Sequence, residues 1–266
     1  MQFVNKLLCF KPSCILGLFF VFFANFAQAE INWQKINGGK SAKFEHNQVG
    51  YYVFSPDKNA KIRLFWKNDK GENYFTFRAV NNQIKSEKKQ AVMITNAAIY
   101  DTEFRPAGLW IENGKELKEI NKNQGKGNFH IKPAAVVYFQ NNQATIIPLA
   151  DYEKRKIRPD YAFQAAPMLL INGKINSRFQ AKLYSPYSRN AICTDKENKL
   201  YFVITDETKT EQKDLPNFYN FARALQEINC QQAVYLDGSI SHMYSENFGG
   251  IFHWKNFAGI IAVIVE

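Results

Sequence analysis

Residues 214–238, DLPNFYNFARALQEINCQQAVYLDG, contain the clearest helix of the sequence and the strand that follows it. Apolar residues recur there at three- and four-residue steps, the period of one helix face, at Phe218, Phe221, Ala222, Leu225 and Ile228. We predict that Asp214 caps this helix and that Pro216 occupies its first turn, where a missing N–H is tolerated. The apolar run 233–236 then predicts a buried strand that ends at Asp237.

Short runs rich in β-branched and aromatic residues dominate the rest of the sequence and predict strands. They lie at residues 51–54, 62–66, 74–77, 92–95, 109–111, 136–139, 145–147, 168–171, 201–204, 234–236 and 259–265. Asn113-Gly114 and Asn172-Gly173 accept positive φ at both central positions of a tight turn, so each is predicted to join two antiparallel strands. The sequence therefore predicts an α+β fold with a large mixed, mostly antiparallel β-sheet and few flanking helices.

The first 29 residues have the pattern of an export signal. Lys6 and Lys11 provide a positive start, residues 14–26 are an apolar stretch, and Ala27-Gln28-Ala29 places small residues where a signal peptidase reads them. We predict cleavage before Glu30 and a periplasmic or secreted mature protein without a membrane span. The apolar stretch is well short of the ~20 residues that cross a bilayer, so an uncleaved anchor is the weaker alternative.

The length of 266 residues, with 46% hydrophobic and 22% charged residues, is typical of a globular protein with one large core. We divide the mature chain into a strand-rich N-terminal extension, residues 30–90, and the main part of the same domain, residues 91–266. Removing the leader lowers the formal charge from +10 to +8, which favours anionic partners. Nucleic acid is disfavoured because the basic residues do not share one helix and no RNA-binding aromatic motif accompanies them. The oligomeric state is left open.

The mature chain keeps two cysteines, Cys193 and Cys230, and two interpretations of them are equally favoured. An oxidising compartment permits one disulfide between them. The alternative is two separate buried thiols, because each cysteine flanks an apolar strand. No Cys or His spacing typical of a structural zinc site is present.

Polar residues that could carry chemistry stand beside apolar strands in five segments. Asp237 ends the buried strand 233–236, and Gly238 lets the backbone turn sharply or lets a ligand approach closely. Asn96 ends the strand 92–95, with Asp101 five positions later. Of the other three segments, one contains Asn128 and His130, one contains Gln164, and one contains Arg189. Each segment taken alone also fits an ordinary turn or loop.

Taken together, groups of these residues occur in a characteristic order along residues 92–265. They are Asn96 with Tyr100 and Asp101, Pro106-Ala107-Gly108-Leu109 followed by Asn113-Gly114, Gly127-Asn128-Phe129 with Pro133, Gln164 with Pro167, Arg189, and Leu236-Asp237-Gly238 with Ser241. In this order the chain resembles the phosphodiester glycosidase family, whose best-known member is the uncovering enzyme that removes N-acetylglucosamine from a phosphodiester on mannose. The family usually has glycine at the positions of Ala98, Ala135 and Ala166, and a glycine-rich run at Ser239-Ile240.

The resemblance implies an exported hydrolase that cleaves a sugar from a sugar-1-phosphodiester of a glycan or cell-envelope polymer. The departing phosphate monoester needs little protonation, so the site must chiefly supply complementary charge. Arg189 is expected to bind the phosphate oxygens, Asp237 to stabilise the positive sugar ring or activate water, and Asp101 to be a second carboxylate. These expectations require Arg189 and Asp237 to face one cleft. Substrate hydroxyls and phosphate oxygens are expected to contact Asn96, Asn128, Gln164, Gly238 and Ser241.

Histidines and metals add alternatives to this interpretation. His242 could act as an acid or base near neutral pH, although the favoured interpretation is a histidine of the surface or of the packed interior. His130 is a weaker candidate for a residue of the substrate pocket. We expect no cofactor. Calcium held by Asp237, Asp101 and loop carbonyls stays open, but no calcium-loop spacing is present. The competing function is a non-catalytic carbohydrate-binding or envelope-assembly protein on the same scaffold, weakened by the altered glycines.

Overall fold

A computed structural model of the chain describes residues 31–238 and 240–266. The predicted leader, its cleavage site and Ser239 lie outside the described residues. The strands in chain order are β1 (Gln34–Ile36), β2 (Gly39–His46), β3 (Val49–Pro56), β4 (Lys61–Phe65), β5 (Gln90–Asn96), β6 (Trp110–Glu112), β7 (Lys115–Lys118), β8 (Ala135–Gln140), β9 (Gln143–Pro148), β10 (Tyr161–Ala165), β11 (Met168–Ile171), β12 (Lys174–Ile175), β13 (Asn190–Thr194), β14 (Leu200–Thr205), β15 (Gln232–Tyr235), β16 (Met243–Ser245) and β17 (Ile260–Val265). The α-helices of the described residues are α1 (Phe77–Ser86), α2 (Leu149–Lys154) and α3 (Phe218–Glu227).

The strands form three sheets, in which the named strand pairs are antiparallel. An eight-stranded sheet has the order β1-β2-β3-β14-β13-β15-β11-β12, a five-stranded sheet the order β7-β6-β10-β8-β9, and a four-stranded sheet the order β16-β5-β17-β4. The predicted α+β class with mostly antiparallel strands and few helices is confirmed. The strands are divided among three sheets instead of one large sheet.

The largest core cluster contains side chains from all three sheets. Phe202 of β14 belongs to it with Val263 of β17 and Phe163 of β10. Because successive side chains of a strand point to opposite faces, the other face of each sheet needs its own cover. Helix α3 covers the eight-stranded sheet, α1 the four-stranded sheet and α2 the five-stranded sheet.

Strands formed by residues before position 90 pair with strands from later in the chain. Strand β3 pairs with β14, and β4 pairs with β17 near the C-terminal end. Strands β1 to β3 therefore extend the large sheet, whereas β4 is the edge of the small one. The division of the domain at residue 90 stays a prediction.

Two local predictions about helices were wrong. The run 74–77 was expected to be a strand, but Thr76 caps α1 by accepting a hydrogen bond from the Ala79 N–H. The buried face of α1 has the helical spacing of Phe77, Val80 and Ile84, which the strand assignment overlooked. Helix α3 begins at Phe218 because the side chain of Asn217 accepts from the Asn220 N–H at 2.8 Å, so Asn217, not Asp214, is its cap.

Cys193 and Cys230 form a disulfide, which decides between the two interpretations left open by the sequence. Cys193 lies in β13, and Cys230 lies two residues before the start of β15, the strand that pairs with β13. Their Cα atoms are 5.8 Å apart, within the usual range for a disulfide. The bond joins the connection between α3 and β15 to β13, an interior strand of the large sheet.

Candidate functional site

The segment 237–242 after β15, of which the structure describes residues 237–238 and 240–242, is attached to the end of β5. We call it the Asp237 loop. The Asp237 N–H donates to the Ala97 carbonyl at 3.2 Å, and the Ser241 N–H donates to the Gly238 carbonyl at 2.9 Å. A Cβ at Gly238 would lie 2.4 Å from both the Ser188 carbonyl oxygen and the Tyr235 hydroxyl. Close backbone approach to protein atoms therefore explains the glycine at this position.

Asn96 holds both ends of the Asp237 loop. Its side chain is buried, with the residue 1% exposed, and Nδ2 donates to the Asp237 carbonyl at 2.8 Å. Its Oδ1 accepts from the His242 N–H and from Asn190 Nδ2, both at 3.0 Å. The amide that was expected to contact substrate is thus engaged by the protein itself.

Asn190 and Thr95 complete this buried network, and the sequence reasoning missed both. Asn190 Nδ2 donates to Thr95 Oγ1 at 2.9 Å, and that hydroxyl donates to the His242 carbonyl at 2.9 Å. Both residues are polar members of otherwise apolar strands, and each is adjacent to a residue that was singled out, Arg189 or Asn96. That position in the sequence is the signal that could have identified them.

Arg189 lies beneath the Asp237 loop, buried and bonded to protein groups. The residue is 1% exposed, its Nε donates to the Pro216 carbonyl at 3.0 Å, and its Nη2 donates to the Ser185 carbonyl at 3.0 Å. The guanidinium lies 4.2 Å from the ring centroid of Phe218. This placement corrects the expectation of an arginine open to a phosphate, because burial and these contacts occupy the side chain.

Tyr235 connects Arg189 to the loop. Its buried hydroxyl accepts from the Gly238 N–H at 2.7 Å and also contacts Arg189. Burial lowers the pKa of Arg189, and the Tyr235 hydroxyl opposes that shift. The charges of Arg189 and Asp237 therefore both lie near the Tyr235 hydroxyl, and a shared substrate cleft for these two residues stays a prediction.

Asp237 is half-buried and lies near two phenols. Burial raises the pKa of Tyr100, and the negative charge of Asp237 adds to that shift. The Tyr100 hydroxyl donates to the Asn256 carbonyl at 2.9 Å. Tyr100 thus links the neighbourhood of Asp237 to the segment that contains Lys255 and Asn256.

Asp101 takes part in a surface turn. Its Oδ2 accepts from Arg105 Nε at 2.8 Å, and its Oδ1 accepts the N–H groups of Glu103 and Arg105 at 3.0 Å. Burial acts to raise the pKa of Asp101, but the hydrogen bonds from Arg105 and Glu103 outweigh it and hold that pKa below its usual value. The expected second carboxylate is an ionised, paired group, and a catalytic role for it stays a prediction.

Gln164 fixes a different loop. Its Oε1 accepts from the Asn121 N–H at 2.9 Å and its Nε2 donates to the Asn121 carbonyl at 2.7 Å. A Cβ at Gly108 would lie 2.3 Å from Gln164 Oε1, which accounts for that glycine. Gln164 is thereby a buried support for the segment after β7.

Asn128 and His130 belong to the same side of the molecule as that segment. Asn128 is exposed in a short 3-10 turn, and the Nδ1 of His130 lies 3.0 Å from the Asn123 carbonyl. Among the described residues that line the cavity next to the Asp237 loop, neither Asn128, His130 nor Gln164 occurs. Their contact with substrate stays a prediction.

Two neighbouring cavities lie near the Asp237 loop, and residues of the loop line the first of them. One, of about 470 Å³, is lined in part by Ser241, His242 and Trp254. The other, of about 410 Å³, is lined in part by Tyr187. Both are lined by Glu207 and Lys255, so they meet at these two residues. We call these two neighbouring cavities together the aromatic cleft.

His242 lies at the boundary between the cleft and the core. Its Nε2 is 2.7 Å from the Gly250 carbonyl, which only accepts, so this nitrogen carries the proton. Burial lowers the pKa of His242, and the hydrogen bond to Gly250 partly offsets it. The imidazole is therefore mainly neutral at pH 7, packed between Phe77 and His253.

The cleft contains groups that sequence reasoning missed, namely Glu207, Trp254 and Lys255. They lie in loops without a repeating pattern, so only the folded chain shows that they line one space. The three alanines that replace family glycines are all buried: Ala98, Ala135 and Ala166. Their methyl groups are accommodated within the protein.

The described residues offer no cluster of three or more His, Cys, Asp or Glu side chains that could hold a metal ion. Calcium at Asp237 therefore stays an alternative without a described ligand set. Over residues 31–238 and 240–266, no helix has the length and apolar character needed to cross a bilayer.

Comparison with known proteins adds sequence and fold relationships. The profile of the phosphodiester glycosidase family matches residues 79–256. The uncharacterized protein YigE of Escherichia coli strain K12 is 33% identical over 219 residues, which is 82% of this chain and 82% of YigE.

Two solved structures share the fold at low sequence identity. The zebrafish N-acetylglucosamine-1-phosphodiester alpha-N-acetylglucosaminidase catalytic domain, auto-inhibited by its pro-peptide, is 15% identical with a TM-score of 0.60, covering 88% of this chain and 86% of that domain. A Burkholderia pseudomallei K96243 protein described as exported is 10% identical with a TM-score of 0.52, covering 85% of this chain and 74% of its own.

Proposed function

Because this chain belongs to the phosphodiester glycosidase family, we propose that it is an exported hydrolase that releases a sugar from a sugar-1-phosphodiester of a glycan or cell-envelope polymer. The observation that carries the proposal is the Asp237 loop, held at both ends by the buried amide of Asn96 beside a cavity that contains cationic side chains. A loop fixed in this way keeps a carboxylate in position without reorganisation during the reaction.

Asp237 is the proposed catalytic carboxylate. Cleavage at the anomeric carbon develops positive charge on the sugar ring, which a carboxylate stabilises directly or by activating water. The leaving group is a phosphate monoester, so strong general-acid catalysis is not required.

The phosphate is assigned to cations that line the cavity. Lys43 and Lys255 both line it, and ammonium groups attract phosphate oxygens as point charges. Arg189 becomes a positioning residue, which acts through Tyr235 on the backbone of Gly238. Ser241, also in the cavity wall, is a candidate to orient a sugar hydroxyl.

Export is supported by the sequence of the first 29 residues and by the exported description of the Burkholderia protein. A periplasmic or secreted location also suits a disulfide-bonded chain, because thiols stay reduced in most cytoplasms. Expression of the full chain with cell fractionation and N-terminal sequencing tests this part. A mature protein that begins at Glu30 is the expected result, and an intact cytoplasmic chain would contradict it.

Release of reducing sugar from a panel of sugar-1-phosphodiesters tests the activity. We expect the native protein to turn over at least one member and Asp237→Asn to lower kcat/KM by about 10²- to 10³-fold. Asp151→Asn, a surface carboxylate of α2, is the matched control and should retain the native rate. Binding of glycans without turnover by the native protein would favour the non-catalytic carbohydrate-binding alternative.

Asp101→Asn decides the question of a second carboxylate in the same assay. A loss of kcat/KM as large as that of Asp237→Asn would show that Asp101 takes part in catalysis. A smaller loss, accompanied by lower stability of the turn around Arg105, would assign it to structure.

A further inference from the structure

The aromatic cleft is lined by a fixed column of rings that ends at an exposed tryptophan. Phe77 stacks on His242 with centroids 5.3 Å apart, His242 faces His253 at 4.4 Å, and His253 stacks on Trp254 at 5.9 Å with an interplanar angle of 17°. Phe77 is buried in the core, whereas Trp254 is 84% exposed. The Trp254 ring thus contacts His253 and has Lys255 Nζ 4.7 Å from its centroid, and most of its surface remains in water.

Exposing so much aromatic surface at a cavity is informative because solvent contact of a large apolar ring is unfavourable. Grooves with exposed apolar surface and polar rims are typical of ligand sites. Tyr187, 55% exposed, lines the adjoining cavity beyond Glu207 and Lys255. Trp254 and Tyr187 thus line the two cavities, which share the carboxylate of Glu207 and the ammonium group of Lys255.

The polar groups between the rings distinguish among possible occupants. Glu207 accepts a hydrogen bond from the Ser188 hydroxyl, and its second oxygen provides further acceptor sites. The negative charge of Glu207 in the cleft disfavours binding to an anionic lipid surface. Such a surface is bound best by cationic and aromatic residues on a convex rim. Sugar rings match the arrangement, since their C–H faces pack on aromatic rings and their hydroxyls donate to carboxylates.

We propose that the aromatic cleft is a glycan-binding subsite, in which Trp254 stacks on a sugar ring and Glu207 accepts that sugar's hydroxyls. Lys255, which the proposed function assigns to the phosphate, lines both cavities of the cleft, so the Trp254 and Tyr187 rings are placed on the phosphate side of the substrate, where the acceptor is attached. The acceptor is then an oligosaccharide or polysaccharide rather than a small alcohol. Assignment to the acceptor side rests on the proposed function, but glycan binding by the cleft does not.

The first experiment measures binding without any catalytic step. Maltotetraose, cellotetraose and chitotetraose are titrated to about 10 mM against the mature protein, following tryptophan fluorescence and protein NMR shifts, a range that detects a millimolar Kd. We expect at least one probe to saturate and to shift the resonances of Trp254. Trp254→Ala should weaken that binding by at least about tenfold, and Trp254→Phe by less.

Tyr184→Ala is the matched control. Tyr184 is 76% exposed, and it does not occur among the described lining residues of either cavity. Its substitution should leave the Kd unchanged. Equal losses in Tyr184→Ala and Trp254→Ala, or failure of all three tetrasaccharides to bind, would overturn the proposal, as would Trp254-dependent binding to phosphatidylglycerol vesicles without oligosaccharide binding.

The second experiment compares two phosphodiesters of the same terminal sugar, one with an ethyl group and one with a tetrasaccharide as the acceptor. Trp254→Ala should raise KM for the tetrasaccharide diester by about tenfold with kcat unchanged, and should leave the ethyl diester unaffected. Equal effects on both diesters would overturn the acceptor assignment. If the native protein cleaves neither diester, the proposed function fails, while the binding titration still decides whether the cleft takes glycans.

Discussion

The two sides of the Asp237 loop differ in how their polar and aromatic groups are used. Below the loop, Asn96, Asn190, Arg189 and Tyr235 are buried and bonded to other protein groups, and we call this set the loop floor. Above it, the aromatic cleft exposes Trp254 and Glu207 to solvent. Residues of the floor define where the loop lies, whereas residues of the cleft are available to a ligand.

This difference shows that a polar residue at the end of an apolar strand serves two distinct purposes. A buried amide without partners costs free energy, and the Asn96 amide is satisfied by neighbouring chain segments on both its oxygen and its nitrogen. A buried, hydrogen-bonded amide fixes the position of a loop and is not available to bind substrate. The comparison can be tested because floor variants should affect stability and cleft variants should affect binding.

The largest effect is expected for Asn96→Ala in the floor. The substitution leaves the His242 N–H and the Asp237 carbonyl without their buried partner, at a cost of about 2–4 kcal/mol in the free energy of unfolding. Urea denaturation measures it. Asn128→Ala, at an exposed asparagine, should change stability by less than about 0.5 kcal/mol. Similar values for the two variants would contradict the structural role of Asn96.

A smaller loss is expected for Tyr235→Phe, which removes one hydroxyl from the floor. The Gly238 N–H then loses its acceptor in a buried position, which costs about 1–2 kcal/mol. The exposed Tyr184→Phe is its control and should be neutral in the same denaturation experiment. If Tyr235→Phe is also neutral, the contacts of the Tyr235 hydroxyl with Arg189 and with the loop backbone do not contribute to the free energy of unfolding.

His242, at the boundary of floor and cleft, predicts a pH dependence. Burial lowers the pKa of His242 below the ordinary value of 6.5, with Gly250, His253 and Glu207 as further influences. The unfolded chain then binds a proton more readily, so this contribution to stability is complete above about pH 6.5 and is lost as the pH falls through the lowered pKa. Acidification should therefore reduce the free energy of unfolding.

The comparison of His242→Gln with the native protein isolates that contribution. Glutamine can still donate a hydrogen bond toward the Gly250 carbonyl but does not titrate. Unfolding curves between pH 5 and 8 should show a shallower dependence for the variant over the range below about 6.5. Identical slopes in the two proteins would show that the titration of His242 does not contribute to the loss of stability at low pH.

The smallest change in stability is expected in the cleft. Trp254→Ala should alter the free energy of unfolding by less than about 0.5 kcal/mol, because the ring is largely exposed in the absence of ligand. Thermal unfolding of the variant and the native protein measures this difference. A loss comparable to that of Asn96→Ala would show that Trp254 belongs to the core, and would weaken its assignment as a ligand platform.

Much of the fold could be predicted from the sequence because strand signals are local. Alternating and β-branched runs indicated most of the long strands, and Asn172-Gly173 lies between β11 and β12, which pair as a hairpin. The helix α1 was missed where its first residue, Phe77, ended a run of aromatic residues that also fits a strand. Local propensity was ambiguous there, and packing against β5 and β17 decided it.

The sequence by itself determined the family and the antiparallel α+β class, since these depend on residue types and their order. Only the tertiary structure decided which polar side chains face inward. Asn96 and His242 are 146 residues apart, and the direction of the Asn96 amide is set by partners that meet only after three sheets have packed. Burial is a property of that packing, and for this reason Arg189 proved to be beneath the loop while Glu207 and Trp254 line its open side.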